Sequence, residues 1–225
     1  MENAPRFELF AFWRTSATYR VRVALNMKGL VAQERQVNLD AGEQRGAAFL
    51  KINPMGAIPA LIDHASGQPG APLTQSLAIL EYLDEVQPLP PLLPESPYGR
   101  ARVRSLAAML AADTHPLITP RIKRYLTTEG RFTDADWRAW QVQWFTAGLQ
   151  AVEQRLASEA ETGMFCHGDS VTIADICLAS LIVVMRIFKI DVADIPTIKR
   201  IMSTCEAQSA FASASPGRQE GAPAG

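Results

Sequence analysis

No two of the three cysteines, Cys166, Cys177 and Cys205, stand close enough for a Cys-x-x-Cys redox or zinc motif. The three histidines show no metal-ligand spacing, and Cys166-His167 is half a site, so no metal is expected. An odd number of scattered thiols points to reduced, buried cysteines. The opening MENAPRFELF lacks a basic stretch followed by an apolar one, and the cytoplasm is the expected compartment. Charge of one sign is missing too. With 22 Lys and Arg against 23 Asp and Glu, the net charge is -1, which offers nothing to a nucleic acid and includes no acidic tail. Long apolar runs are absent: ICLASLIVVM (residues 176–185) is about half of what a bilayer needs and reads as a buried core helix, with no membrane partner.

What is present is a globular composition long enough for one large or two small domains. Residues 7–12 have the length and aromatic content of a strand, and from Thr18 the spacing of Val21, Ala24, Leu25 and Lys28 turns helical, with Gly29 placed to end it. QERQVNLD (33–40) alternates as a strand. A short helix is expected near 47–51, a strand in AIPALID (57–63), a turn at Gly67-Gln68-Pro69-Gly70, a brief strand in APLTQ and a helix over 76–85. The order β-α-β-α-β-β-α suits a small mixed sheet with helices on both faces. The proline-dense QPLPPLLPESP (87–97) then reads as an extended linker. Beyond it the pattern is helical throughout: a segment ended or kinked by Pro116, a long helix capped at Thr133 or Asp134, a buried helix in TIADICLASLIVVMRIF and another in PTIKRIMSTCEAQSAF, with a mobile tail from Ser213. The expected fold is α/β plus all-α, with an α/β domain over 1–88 and an all-helical domain over 96–225.

Three polar stations lie at junctions in the first part. At the first, Arg14-Thr15-Ser16-Ala17-Thr18 separates strand from helix. Unpaired amides at a helix start favour an anion, the hydroxyls of Thr15, Ser16 or Thr18 can donate to it, and Arg14 adds a cation; the plainer reading is a helix cap. No Gly-x-Ser-x-Gly elbow is present, so a hydroxyl that stabilises an anion is favoured over one that attacks. At the second, in NPMGAIPAL, Pro59 opens a strand; a cis bond there would turn the Ile58 backbone toward an extended ligand, and an ordinary turn proline is the alternative. At the third, Gln75-Ser76 feeds a helix, where the Ser76 hydroxyl either caps or, with the free amides behind it, holds a carboxylate. A soft anion, a peptide backbone and a free α-carboxylate together describe glutathione.

FWRTSATYRVRVALNMKG, INPMGAIPAL, QSLAILEYL, ADTHPL, TIADICLA and AFASASPGRQ, in this order, resemble the motifs of the zeta-class glutathione transferases, which include maleylacetoacetate and maleylpyruvate isomerases, across nearly the whole chain. The resemblance implies a thioredoxin-like N-terminal domain, a helical C-terminal domain that supplies most of the second-substrate pocket, and a homodimer. It implies glutathione as cofactor, with Thr15 and Ser16 at the family's two serines and Ala17 in place of its cysteine. Thr15, Ser16 and Arg14 then become the catalytic set, Ile58, Pro59, Gln75 and Ser76 the glutathione contacts, and Arg14, His115, Arg121 and Arg186 the candidates for a dicarboxylic substrate. Arg186 stands one place early against the family pattern, about 100° round the helix. The implied activity is glutathione-dependent cis–trans isomerisation of a small dicarboxylic keto acid, maleylacetoacetate first and maleylpyruvate second. A transferase or dehalogenase acting on haloacids and a non-catalytic glutathione-binding module are the competing expectations. Thr172 with Asp175 reads as a capping box, and Trp137, Trp140 and Trp144 as packing at helical spacing.

Overall fold

The computed structural model describes residues 5–68 and 70–223. They form two units: residues up to Leu92 with those from Gln208 onward, and Leu93–Ala207.

In the first unit, β1 (Phe7–Ala11), β2 (Ala32–Gln36), β3 (Ala60–Asp63) and β4 (Pro72–Thr74) form one sheet in the order β2-β1-β3-β4. β1 and β2 are parallel, with Phe7 opposite Ala32; β1–β3 and β3–β4 are antiparallel, with Leu9 opposite Leu61 and Leu61 opposite Leu73. A parallel pair needs a crossover, and α1 (Ser16–Lys28) supplies it. The helix ends where expected: Gly29 takes φ 64°, and its cap amides return to the carbonyls of Asn26 and Leu25. α2 (Ala47–Leu50) and α3 (Ser76–Val86) complete the motif. Phe7, Leu9 and Ala11 are buried on one face of β1, while Phe10 on the other meets Phe49 of α2 edge to face at 6.0 Å. Both faces being covered, β1 is apolar at nearly every position.

β2 is shorter than the alternation predicted. Val37 still donates to Ala11 O at 2.8 Å, but the Asn38 side chain then accepts the amides of Asp40 and Ala41 at 3.0 and 3.1 Å, an Asx turn that takes the chain off the sheet. At the turn predicted over 67–70, Gly67 and Gly70 have φ 75° and 78°; Pro69 lies outside the described residues.

The second unit is helical: α4 (Pro97–Ala108), a π turn (Met109–Thr114) and a 3-10 turn (His115–Ile118), then α5 (Pro120–Thr128), α6 (Asp134–Ser158), α7 (Ile173–Ile187) and α8 (Pro196–Glu206). Local chemistry starts three of these helices. Ser96 accepts from Gly99 N, Thr133 and Asp136 cap α6 reciprocally, and Thr172 and Asp175 do the same for α7. α8 is capped from a distance: the buried Glu153 carboxylate accepts the amides of Thr197 and Ile198 at 2.9 and 2.8 Å. Gly148 lets α6 meet the π turn, since a Cβ there would stand 2.2 Å from Thr114 Oγ1. The tryptophans pack as expected: Trp137 is buried, Trp140 donates to Leu117 O at 2.7 Å, and its ring lies 5.6 Å from that of Trp144. None of the three cysteines is in a disulfide, and all three are buried.

Two expectations for the carboxyl end are corrected. The single helix expected over 196–211 breaks after Glu206, and α9 (Ser209–Ala214) follows. The described part of the tail from Ser213 is folded: Pro216–Arg218 makes a 3-10 turn, and Gln219 Nε2 donates to Ser213 O and Ser215 O at 2.8 and 2.9 Å. Residues from Gln208 return to the first unit, where Asn26 Nδ2 donates to Ala210 O at 2.9 Å. Small residues that read as flexible in sequence permit this close packing on α1.

The end of β3 carries an acid-sensitive tie. Arg6 donates to both Asp63 oxygens (3.0 and 2.7 Å) and Tyr82 Oη donates at 2.7 Å. The Arg6 hydrogen bonds outweigh desolvation by burial and hold the Asp63 carboxyl at about 2, against its ordinary 3.8. A depressed carboxyl contributes stability above its unfolded pKa and loses it as pH falls through the folded one, here between about pH 4 and 2, and this is worth about 2 kcal/mol. Asp63→Asn should therefore flatten the acid limb of Tm against pH in that window; an unaltered limb would remove Asp63 from the explanation.

Candidate functional site

The start of α1 sorts the hydroxyls. Thr15 occupies the N-cap position but makes no side-chain cap bond. Its Oγ1 donates to Thr18 Oγ1 at 2.6 Å, with Phe12 O at 3.4 Å, so its single proton is held within the loop. The plain capping role is thus not what the structure displays. Ser16 differs. It is 1% exposed, and its Oγ has no hydrogen-bond partner. A buried hydroxyl left so costs about 1–3 kcal/mol, which makes the start of α1 a candidate place for a ligand contact. The first-turn amides beside it favour an anion. Arg14 is engaged elsewhere: it is ion-paired with Asp40, and its guanidinium lies 5.3 Å from the Phe12 ring centre and 5.5 Å from that of Trp13.

The second station is the loop before β3. Asn53 Nδ2 donates to Ala57 O at 2.5 Å and Asn53 Oδ1 accepts from Met55 N at 3.1 Å, clamping the turn that delivers Ile58 and Pro59. The Ile58–Pro59 bond is cis, and both residues are buried. Gly56 has φ 57°, and a Cβ there would come within 2.9 Å of Gln44 O, so this loop sits directly on the turn Glu43–Arg45. Gln44 is a further candidate that the sequence alone does not single out. It is 7% exposed and its Oε1 has no partner. A glutamine in a polar run carries no local signal, and only contact with the Gly56 loop sets it apart.

The third station corrects the expectation that Ser76 is an N-cap. Gln75 holds that place, at φ 68° and ψ 111°, a conformation a side chain rarely adopts. Such strain persists where surrounding structure enforces it, commonly at ligand sites. Ser76 is the first residue of α3, 6% exposed, and its Oγ accepts from Arg20 Nη1 at 2.8 Å. Ser16, Gln44, Ile58, Gln75 and Ser76 all belong to the first unit.

The remaining candidates belong to the second unit. His115 opens the 3-10 turn that Trp140 steadies through Leu117 O. Arg121 is exposed in the first turn of α5, with no carboxylate partner among the described residues. Arg186 is exposed at the end of α7 and ion-paired with Glu206 of α8. Burial pushes the Cys166 and Cys205 thiols well above the ordinary thiol range, with Asp175 adding to the effect, so neither of these two is poised for chemistry. No cysteine stands between β1 and the end of α1 in the sequence, so a ligand is the candidate source of a thiolate at that helix start.

The glutathione S-transferase N-terminal domain family matches residues 5–85, and the glutathione S-transferase C-terminal domain family matches 146–209. A probable maleylacetoacetate isomerase of Vibrio cholerae is 41% identical over 213 residues, 94% of this chain and 96% of that one. A maleylpyruvate isomerase of Ralstonia is 37% identical over 94% of this chain and 98% of that protein. The crystal structure of maleylacetoacetate isomerase from Methylobacterium extorquens AM1, with bound malonate and glutathione, superposes with a TM-score of 0.92 at 49% identity, over 96% of this chain and all of that one. That of the Anaeromyxobacter dehalogenans enzyme, with dicarboxyethyl glutathione and citrate in its active site, gives 0.86 at 37% identity over 98% and 99%.

Proposed function

Because this chain belongs to the zeta class of the glutathione S-transferase family, we propose that it is a glutathione-dependent cis–trans isomerase of a small dicarboxylic keto acid, converting maleylacetoacetate to fumarylacetoacetate, with maleylpyruvate as the second choice. The observation that carries the reading is the buried, unpartnered Ser16 hydroxyl at the start of α1. It fits a thiolate that the protein's own cysteines do not supply.

Glutathione supplies a thiolate that adds reversibly to the cis double bond, so that the resulting single bond can turn before the sulfur leaves. The protein has three tasks. It must keep the sulfur ionised near neutral pH, and the Ser16 hydroxyl and the α1 amides suit that; Thr15, bonded to Thr18, shapes the loop around them. It must hold the tripeptide, which we assign to the Ile58–Pro59 backbone, Gln75 and Ser76, and to Gln44, whose buried Oε1 has no partner. It must receive two carboxylates and the negative charge that develops beside them. His115 and Arg121 are assigned to this, together with Arg14 and Arg186 once these exchange Asp40 and Glu206 for substrate. A dicarboxyethyl group on glutathione, as in the Anaeromyxobacter complex, is what addition of the thiol across a four-carbon unsaturated diacid leaves, which supports this chemistry.

We also place the protein in the cytoplasm as a homodimer. No helix among the described residues is long and apolar enough to cross a membrane, and exposed Leu50, Met55, Tyr98 and Val142 are apolar groups that a second copy would cover. Initial rates on maleylacetoacetate, maleylpyruvate and dichloroacetate, each with glutathione, test the reaction class. The maleyl acids should exceed halide release by at least about 100-fold in kcat/KM, close to 3 kcal/mol of preference. Faster halide release would make the protein a haloacid transferase.

A further inference from the structure

Arg20 follows Ser16 by one turn on the same face of α1. At 2% exposure it is among the largest fully buried side chains of the protein, yet it carries a permanent charge. Its Nη1 donates to Ser76 Oγ at 2.8 Å. A guanidinium can only donate, so Ser76 Oγ is the acceptor in this bond, and its one proton is free for another acceptor. Ser76 is the first residue of α3, beside amides that the helix leaves unpaired, and it follows Gln75 at its positive φ. A buried cation behind a hydroxyl, with amide N–H groups alongside, selects an anionic acceptor over a neutral one.

We propose that Arg20 is a positioning residue that sets the polarity of the Ser76 hydroxyl for a ligand carboxylate. It acts through Ser76 and does not itself touch the ligand. On the function proposed above, on which this inference rests, the carboxylate is the free α-carboxylate of the γ-glutamyl group. Arg20 is thereby a specificity determinant for that group.

Calorimetric Kd values for glutathione and for 4-aminobutanoyl-cysteinyl-glycine, which lacks only that carboxylate, separate this role from a merely structural one. Arg20→Met should raise the glutathione Kd about 10-fold or more, while the Kd of the decarboxylated tripeptide moves by less than roughly twofold. Arg20→Lys should show the same carboxylate-selective loss at smaller size, and it carries the comparison should Arg20→Met not fold. The double variant Arg20→Met/Ser76→Ala should bind glutathione no more weakly than Ser76→Ala alone, because one residue works through the other. Equal weakening of both tripeptides, or unaltered glutathione affinity in folded Arg20 variants, would overturn the inference and leave the glutathione site standing. Failure of the wild-type protein to bind glutathione would overturn the underlying function, a result visible before any variant is compared.

Discussion

Ser16→Ala should raise the pKa of enzyme-bound glutathione by about one to two units and lower kcat/KM near neutral pH about 10- to 100-fold. The direction follows from which species the hydroxyl favours. A donor to sulfur stabilises the thiolate and not the thiol, so its removal shifts the ionisation upward and shrinks the reactive fraction. The α1 amides remain in the variant, so the loss is partial. It should shrink as pH rises and the thiol ionises unaided, which separates thiol activation from damage to binding. Thr15→Ala should have a smaller effect, since the Thr15 proton is held by Thr18. Titration of the ultraviolet thiolate band of the bound tripeptide reads both variants. A pKa that moves with Thr15 and stays put with Ser16 would exchange their roles.

Asp175→Ala should cost about 3–5 kcal/mol of stability, the other large effect. The Asp175 side chain is fully buried. One oxygen accepts from Cys166 N at 2.7 Å; the other accepts from Thr172 N at 2.8 Å and Thr172 Oγ1 at 2.7 Å. Burial raises the carboxyl's pKa, against the pull of these donors. Alanine would strand two backbone amides and a hydroxyl in a dry interior at the head of α7, the most buried helix of the second unit. Asp175→Asn keeps one acceptor and should cost less. Urea unfolding of the variants, followed by circular dichroism, measures both. A loss of turnover without loss of stability would instead make Asp175 part of the chemistry.

Asp175 also shows how far a sequence can be read. Its capping box is local, a threonine and an aspartate three apart, and is legible without coordinates. Its bond to Cys166 N joins residues that only the folded loop brings together. The same division holds elsewhere. Gly29 and the Thr133 cap were legible because backbone geometry at helix ends selects residue types over three or four positions. The Ser96 and Glu153 caps divide on the same line: the first is local, the second reaches 44 residues along the chain. At the candidate site, the three junctions Thr15-Ser16, Ile58-Pro59 and Gln75-Ser76 could be picked out as candidates, since each couples a strand or turn to polar or proline chemistry. Which hydroxyl is free was not readable, because it depends on Thr18 turning back to Thr15. Nor was the Arg20–Ser76 bond, which spans 56 residues, or Gln44, whose place is set by a neighbouring glycine loop. The folded carboxyl end was misread for a related reason: alanine and serine signal flexibility when alone and close packing when a partner surface is present.

Turnover of maleylacetoacetate should be followed with glutathione, without it, and with S-methylglutathione, whose sulfur cannot ionise. Isomerisation with glutathione alone, and inhibition by the methylated tripeptide in its presence, is the expected result if the anion at the start of α1 is the ligand's sulfur. Isomerisation that proceeds without glutathione, or that S-methylglutathione supports equally, would contradict it and return the chemistry to the protein's own side chains.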